Sequence, residues 1–483
     1  MILSNYEPKR VLHHFEAISQ IPRGSGNEKG VSDYIAAFAE GLGLKHVQDA
    51  SYNLIIYKDG TPGYENLEPV ILQGHLDMVC EKNADTVHDF LKDPIKLYVD
   101  GDYIRARGTT LGADNGIAVA LCMALLEATD LAHPPLEVVL TADEEAGMSG
   151  ASNLDGSLLK GRRMINLDSG SVGVFVAGSA AGTTAEYELP ATWEAPGALT
   201  QAYSLTVKGL HGGHSGGDIK KERGNAIRIL GTLLNALNVV ADIRIVCVSG
   251  GMKVNAIPRE AQAVIAAKPE DWGKLQAAFE KASLVLSGFF RVADPGLEME
   301  IKKADAPVDK VLAHLCGKHF IASLLILPCG VQAMSRDIDG LVAASCNIGV
   351  LETFDSSIKI SCMPRGASNE RTSQVEAQIA AIAMLAGAKA TFTGRSPAWA
   401  FNPDSKILKM FAAYHEHVYG EAPKVTAMHG GLETGIFADK LPGLDIVSFG
   451  PNMHDLHTPE ERISISSTEK TWKFLCGALR EMK

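Results

Sequence analysis

Two textures of apolar and polar positions alternate along this chain. Behind Pro8, which fits the first turn of a helix, Val11, Leu12, Phe15 and Ile18 recur at helical spacing. Ser25-Gly26-Asn27-Glu28 has the form of a capping box opening a second helix, with Val31, Tyr34, Ile35 and Phe38 directed inward. Short apolar runs at 53–57, 69–73, 136–141 and 164–167 read as strands, and 115–128 as a nearly continuous apolar helix. Strands that alternate with helices and are apolar on both faces predict an α/β domain built on a buried, mostly parallel sheet.

From about residue 186 the texture changes. Strands are predicted at 202–207, 243–248 and 261–267, with a helix at 225–237. A similar set follows: a helix near 308–318, strands near 344–351 and 356–362, a helix at 370–386 and a strand near 388–393. These are two related α+β units, and Thr393-Gly394-Arg395-Ser396-Pro397 marks the exit from them. The first texture then returns, with a helix at 406–418, strands at 424–428 and 445–449, and a closing helix. The prediction is a discontinuous α/β domain of residues 1–185 and 395–483, interrupted by an inserted α+β domain of residues 186–394.

Composition limits what such a chain does. The 483 residues are 46% hydrophobic and 21% charged, enough for a large core and against disorder. A net charge of −12 excludes the basic face that nucleic acids and anionic membranes require. No apolar run is long enough to span a bilayer, and the first ten residues have no apolar signal core, so the expected compartment is the cytoplasm. None of the eight cysteines forms a C-x-x-C pair, and they read as core thiols.

The chemistry lies at the ends of the apolar runs. His75, Glu144 with Glu145, and Asp168 each follow a predicted strand, so a parallel sheet places them on one edge, where ligands bind in such sheets. Asp114 opens a helix inside the glycine-rich stretch 108–116, and His457 stands before Thr458-Pro459, which fixes its backbone and favours it over His454. Singly, each is also readable as a cap, a turn or a strand end. Together, imidazoles and carboxylates in this number suit a two-metal hydrolase in which one carboxylate bridges. Asp77, two residues beyond His75 on an extended strand end, can take the second ring N–H of that histidine and fix its tautomer. Of the adjacent Glu144 and Glu145, one can face metal and the other the attacking water.

These phrases resemble the aminoacylase and carnosinase family of di-zinc peptidases. The resemblance covers essentially the whole chain. It is carried by 73–79, 86–90, 107–117, 144–147, 212–217, 255–260 and 429–433. It implies His75 and Asp168 on one zinc, Glu145 and His457 on the other, Asp114 as the bridge, and a cis peptide at Asp114-Asn115. It assigns Glu144 as the general base and Asp77 as the carboxylate that orients His75. The inserted domain resembles the family's lid, with His214 at the oxyanion position and Asn255 and Arg365 binding substrate. His211 lies near His214 without matching it, and Glu433 could meet a free amino group.

The implied activity is hydrolysis of unblocked dipeptides, including Xaa-His such as β-alanyl-histidine, by a water that the zinc ions and Glu144 activate. The implied cofactor is two zinc ions per subunit, with cobalt or manganese as substitutes, and the implied assembly is a homodimer. An N-acyl amino acid deacylase, a tripeptidase and a non-catalytic zinc-dependent binding protein are the alternatives. The chain departs from the family in 452–456, where His454 adds a histidine ahead of His457.

Overall fold

The computed structural model describes residues 1–305 and 307–483. The chain divides into two compact units. One comprises Met1–Gly178, Phe401–Ala427 and Leu432–Lys483, and the other Ser179–Ala400 with Met428–Gly431. The boundaries differ from the 185/186 and 394/395 expected from sequence. Strand Ala181–Pro190 pairs with Ser357–Gly366 and Lys389–Ser396, which draws it into the inserted unit. Residues 428–431 join that unit because the Ala180 amide donates to the carbonyls of Met428 (3.1 Å) and Gly430 (2.9 Å).

The first unit is built on an eight-stranded sheet. Its order is Lys45–Gln48, Leu54–Lys58, Leu136–Thr141, Val70–His75, Arg163–Asn166, Asp445–Ser448, Val174–Ser179, Lys424–Met428. The centre is parallel: Val70–His75 lies between Leu136–Thr141 and Arg163–Asn166, and Asp445–Ser448 continues the same direction. Antiparallel pairs flank it. Register aligns His75 with Thr141 and Gln73 with Asn166, so the three central strands end together. All residues of Val70–His75 and Leu136–Thr141 are buried, as the continuous apolar runs require.

Helix Ala113–Glu127 is buried on nearly all sides and packs against strand Val70–His75 and helix Lys9–Ile18. The buried stripe of Lys9–Ile18 contains Val11, Leu12, Phe15 and Ile18. Pro8 stands just before that helix, as its N-cap. The next helix, Lys29–Gly41, buries Val31 and Ile35 but leaves Tyr34 exposed. Its expected capping box does not form. Glu28 accepts the amides of Gly26 (2.8 Å) and Asp143 (3.1 Å), and the Ser25 hydroxyl is engaged at Asp77 instead. The C-terminal segments are fastened by four phenylalanines. Phe411 and Phe474 pack on Phe175 and Phe449 with ring centroids 5.3–6.2 Å apart.

The second unit is an antiparallel sheet of nine strands. Eight follow the order Glu298–Ala304, Gln201–Lys208, Ala261–Ala267, Arg244–Gly250, Val342–Thr353, Ser357–Gly366, Ala181–Pro190, Lys389–Ser396, and Gly330–Met334 pairs with Val342–Thr353. The two expected α+β units meet where Arg244–Gly250 pairs with Val342–Thr353. Helices Ala226–Val240, Trp272–Phe290, His314–Ile326 and Asn369–Ala386 contribute to its core. The helix expected near 308–318 starts only at His314, because the buried residues Val311 and Leu312 pair as a strand with Trp193–Glu194. Among the described residues, no helix is long and apolar enough to cross a membrane.

The aromatic cluster gives a test of how the two ends of the first unit are joined. Phe411 is fully buried. Phe411→Ala should lower the unfolding free energy by about 3–5 kcal/mol, read from the denaturation midpoint. A change under about 1 kcal/mol would show that the cluster does not bind these segments together.

Candidate metal centre

The ends of the three central strands carry the acidic groups. His75 is the last residue of its strand, Asp168 lies two residues beyond Arg163–Asn166, and Glu144 and Glu145 follow Leu136–Thr141. Asp114 arrives from the start of helix Ala113–Glu127, where its φ and ψ of −80° and 105° are not helical and the Asp114–Asn115 peptide is cis. His457 comes from the loop between Met453–His454 and Arg462–Ser464, with φ of 62°.

Fold and loops bring all five of the expected ligand residues together. His75, Asp114 and Asp168 form one group and Asp114, Glu145 and His457 another, each with donor atoms within 4.8 Å of one another. Asp114 belongs to both and divides its oxygens: Oδ1 lies 3.3 Å from His75 Nε2 and Oδ2 lies 3.4 Å from His457 Nε2. Asp168 Oδ1 is 3.8 Å from His75 Nε2, and Glu145 Oε1 is 2.9 Å from His457 Nε2. Glu144 stands in a third group with His75 and Glu145. His454 joins none of these groups; its ring meets Tyr103 edge-on instead.

Asp77 organises this edge. It is fully buried, and its Oδ1 lies 3.2 Å from His75 Nδ1, leaving Nε2 to face Asp114 and Asp168. The same carboxylate accepts the backbone amides of Glu144 (3.0 Å) and Glu145 (3.1 Å) and the Ser25 hydroxyl (2.8 Å). One buried anion therefore fixes a histidine and the two adjacent glutamates. Burial pushes the Asp77 pKa up, but these donors outweigh it and hold it at about 2.

The electrostatics show what the cluster lacks. Burial lowers the His75 pKa, but the hydrogen bonds to Asp114 and Asp77 reverse this and raise it well above the ordinary value. His457 is raised to about 10 by its bonds to Asp114 and Glu145. Burial raises Asp114, yet the two histidines pull it below the carboxylate range. Burial, then the charge of Asp114, pushes Asp168 well up, and Glu144 reaches about 8 through burial and the neighbouring Glu433 and Glu145. Among the described residues, no lysine or arginine pairs with Asp114, Glu144, Glu145 or Asp168. A crowd of carboxylates without fixed cations, each turned toward an imidazole, fits divalent metal ions with N and O donors.

Four residues that the motifs did not disclose support the site. Glu461 accepts the consecutive amides of Leu111, Gly112, Ala113 and Asp114. Arg23, fully enclosed, donates to the carbonyls of Leu76 (2.8 Å), Asp77 (3.1 Å) and Gly112. Ser25 and Thr141 complete the set, the latter with Gln73. Glu433 is buried beside this edge. Its Oε2 accepts from Gln73 Nε2 and Thr141 Oγ1, both at 2.6 Å, and burial raises its pKa to about 8. The sequence signal for these residues was faint: an acidic residue near His457, and a lone arginine after Ile21-Pro22.

The inserted unit has its own cluster. His214 lies opposite Ala256 in a two-residue bridge, next to Asn255, whose carbonyl accepts the Ser215 amide (2.9 Å). His214 Nδ1 accepts from the amides of Gly216 (3.3 Å) and Gly217 (3.2 Å), so the ring proton sits on Nε2. Desolvation and then the Arg365 charge lower its pKa, keeping it neutral. His211 turns elsewhere, to Ala293 and Asp294. Arg365 is 5% exposed, donates to the Ser215 hydroxyl (3.4 Å), and has no carboxylate partner among the described residues. Burial pushes its pKa down to about 10.

Comparison with known proteins agrees with this architecture. The model of peptidase family M20/M25/M40 matches residues 71–481. The cytosol non-specific dipeptidase of Escherichia coli (strain K12) is 37% identical over 483 residues, covering 99% of each chain. The crystal structure of aminoacylhistidine dipeptidase from Vibrio alginolyticus superimposes with a TM-score of 0.93 at 37% identity, covering 100% of this chain and 98% of that one. An aminopeptidase PepT from Bacillus cereus, at 15% identity and a TM-score of 0.57 with 99% of each chain covered, shares the fold. The chain belongs to peptidase family M20/M25/M40.

Proposed function

We propose that this protein is a metal-dependent dipeptidase that hydrolyses unblocked dipeptides, Xaa-His among them, with two zinc ions per subunit. The observation that carries the reading is Asp114, which presents one oxygen to each of two histidine-carboxylate groups. Relatives that are dipeptidases by name, 37% identical over nearly the whole chain, support the substrate class. Imidazole and carboxylate donors suit zinc, and cobalt or manganese tolerate similar sites. When bound, the cation pair supplies Lewis acidity and makes water a competent nucleophile near neutral pH.

In this reading His75 and Asp168 would hold one cation and Glu145 and His457 the other, with Asp114 able to serve both. Glu144 is not needed as a ligand and serves as the base. Burial and the neighbouring acids push its pKa up when no cation is present, and as a carboxylate beside the cations it would take a proton from water and return it to the departing amine. Asp77 sets the direction of the Glu144 side chain by holding its backbone amide. From the inserted unit, His214 offers a neutral Nε2–H, the donor an oxyanion needs. Arg365 is a buried guanidinium awaiting an anion, which suits the carboxylate of a dipeptide. Asn255, whose carbonyl accepts the amide of Ser215 next to His214, is assigned to substrate by the family pattern. The cytoplasm is the inferred compartment, as for the cytosolic relative, and the homodimer is carried over from the family pattern.

Glu144→Ala should retain both cations and lose about 10²–10⁴-fold in kcat, measured by metal analysis of the purified variant beside its turnover. Wild-type turnover in that variant would remove Glu144 from the chemistry. Chelation should abolish hydrolysis, and zinc should restore it in proportion up to two equivalents; full recovery at one equivalent would contradict a paired site. A panel of dipeptides with free and acylated amino termini, β-alanyl-histidine included, should show cleavage of the free forms. Preference for the acylated forms would make the protein a deacylase.

A further inference from the structure

An aspartate in the first turn of a helix ordinarily turns its carboxylate back onto the free amides of that turn. Asp114 does not. Its oxygens go to His75 and His457, and helix Ala113–Glu127 has no capping bond from its own N-cap residue, Gly112. The amides are satisfied from a distant part of the chain. Glu461 Oε2 accepts from Leu111 (2.8 Å) and Gly112 (3.0 Å), and Oε1 from Ala113 (2.9 Å) and Asp114 (3.3 Å). Glu461 is 2% exposed, so water cannot replace it at these donors.

The far side of the same loop is also held. Arg23 takes the Gly112 carbonyl while Glu461 takes the Gly112 amide, and the other Arg23 donor takes the carbonyls of Leu76 and Asp77, just past His75. A Cβ on Gly112 or Gly116 would come within 2.6 Å or 2.5 Å of Arg23 Nη2, so this approach requires glycine at both positions. Glu461 itself stands four residues beyond His457. Its amide donates to the Thr458 carbonyl (3.1 Å), and strand Arg462–Ser464 follows at once, paired with Tyr103–Ala106. The segment that delivers His457 thus also grips the loop that delivers Asp114.

We propose that Glu461, backed by Arg23, is the positioning residue that caps the Asp114 helix from outside and so leaves both Asp114 oxygens free to join the two halves of the metal centre. This rests on the metal-site reading given above. Glu461 belongs to none of the candidate ligand groups, and its carboxylate oxygens accept backbone amides. It sets where Asp114 stands relative to His457 and His75.

The test is Glu461→Gln, which keeps size and shape but replaces one acceptor oxygen with an amide nitrogen facing two N–H groups. Zinc affinity of the full chain, measured by competition with a chromogenic chelator, should fall about 10–100-fold, the range for groups that orient ligands. Unchanged zinc affinity in the folded variant would overturn the proposal, whatever its melting temperature. If the variant does not fold, hydrogen exchange on the chelator-treated wild-type protein decides. The amides of Leu111, Gly112, Ala113 and Asp114 should be protected like core amides, and exchange at the rate of exposed loops would overturn the clamp. Failure of the wild-type chain to bind zinc would refute the metal-site reading instead, and the exchange pattern would still judge the clamp.

Discussion

The structure depends on keeping four carboxylates, Asp114, Glu144, Glu145 and Asp168, at one edge of a sheet with two imidazoles and, among the described residues, no fixed cation. Like charges at this separation in a partly desolvated site repel strongly, and burial alone opposes ionisation. The raised pKa values of Asp168 and Glu144 express that opposition. Divalent cations held there would relieve it by giving the carboxylates a counter-charge. The surroundings must therefore hold the acids in place against their mutual repulsion, before any ligand helps them.

They do so with backbone amides rather than with opposing side-chain charges. Asp77 accepts the amides of Glu144 and Glu145, and Glu461 accepts those of residues 111–114. In both cases one buried anion fixes the main chain while the functional carboxylates stay free. A lysine or arginine in that role would compete with the metal for the same oxygens. Arg23 avoids this by spending its donors on carbonyls. The inserted unit differs: among the described residues Arg365 has no carboxylate partner, and His214 Nδ1 accepts two backbone amides, which leaves its ring proton on Nε2.

Much of this was legible in the residues. Strand and helix runs in the first unit were placed to within a few positions, because continuous apolar stretches bounded by glycine or polar residues have few readings. The strand-end placement of His75, Glu144, Glu145 and Asp168 followed from the same runs. Errors arose where local signals had tertiary competitors. Ser25 to Glu28 has the form of a capping box, yet Ser25 is claimed by Asp77 and Glu28 by the Asp143 amide. The helix expected near 308–318 yields its start to a strand pairing with Trp193 and Glu194.

What the sequence determined by itself was the inventory: an α/β unit interrupted by an α+β one, the ligand residue types, and their position at strand ends and turns. Those follow from periodicity and from the chemistry each side chain can perform. Only the tertiary structure decided which Asp114 oxygen faces which histidine, and that Glu461 and Arg23 fix the loop carrying it. Amides and carbonyls are the partners in that framework, and every residue but proline has both. Their selection depends on which distant segment folds against them, a fact that no local pattern records.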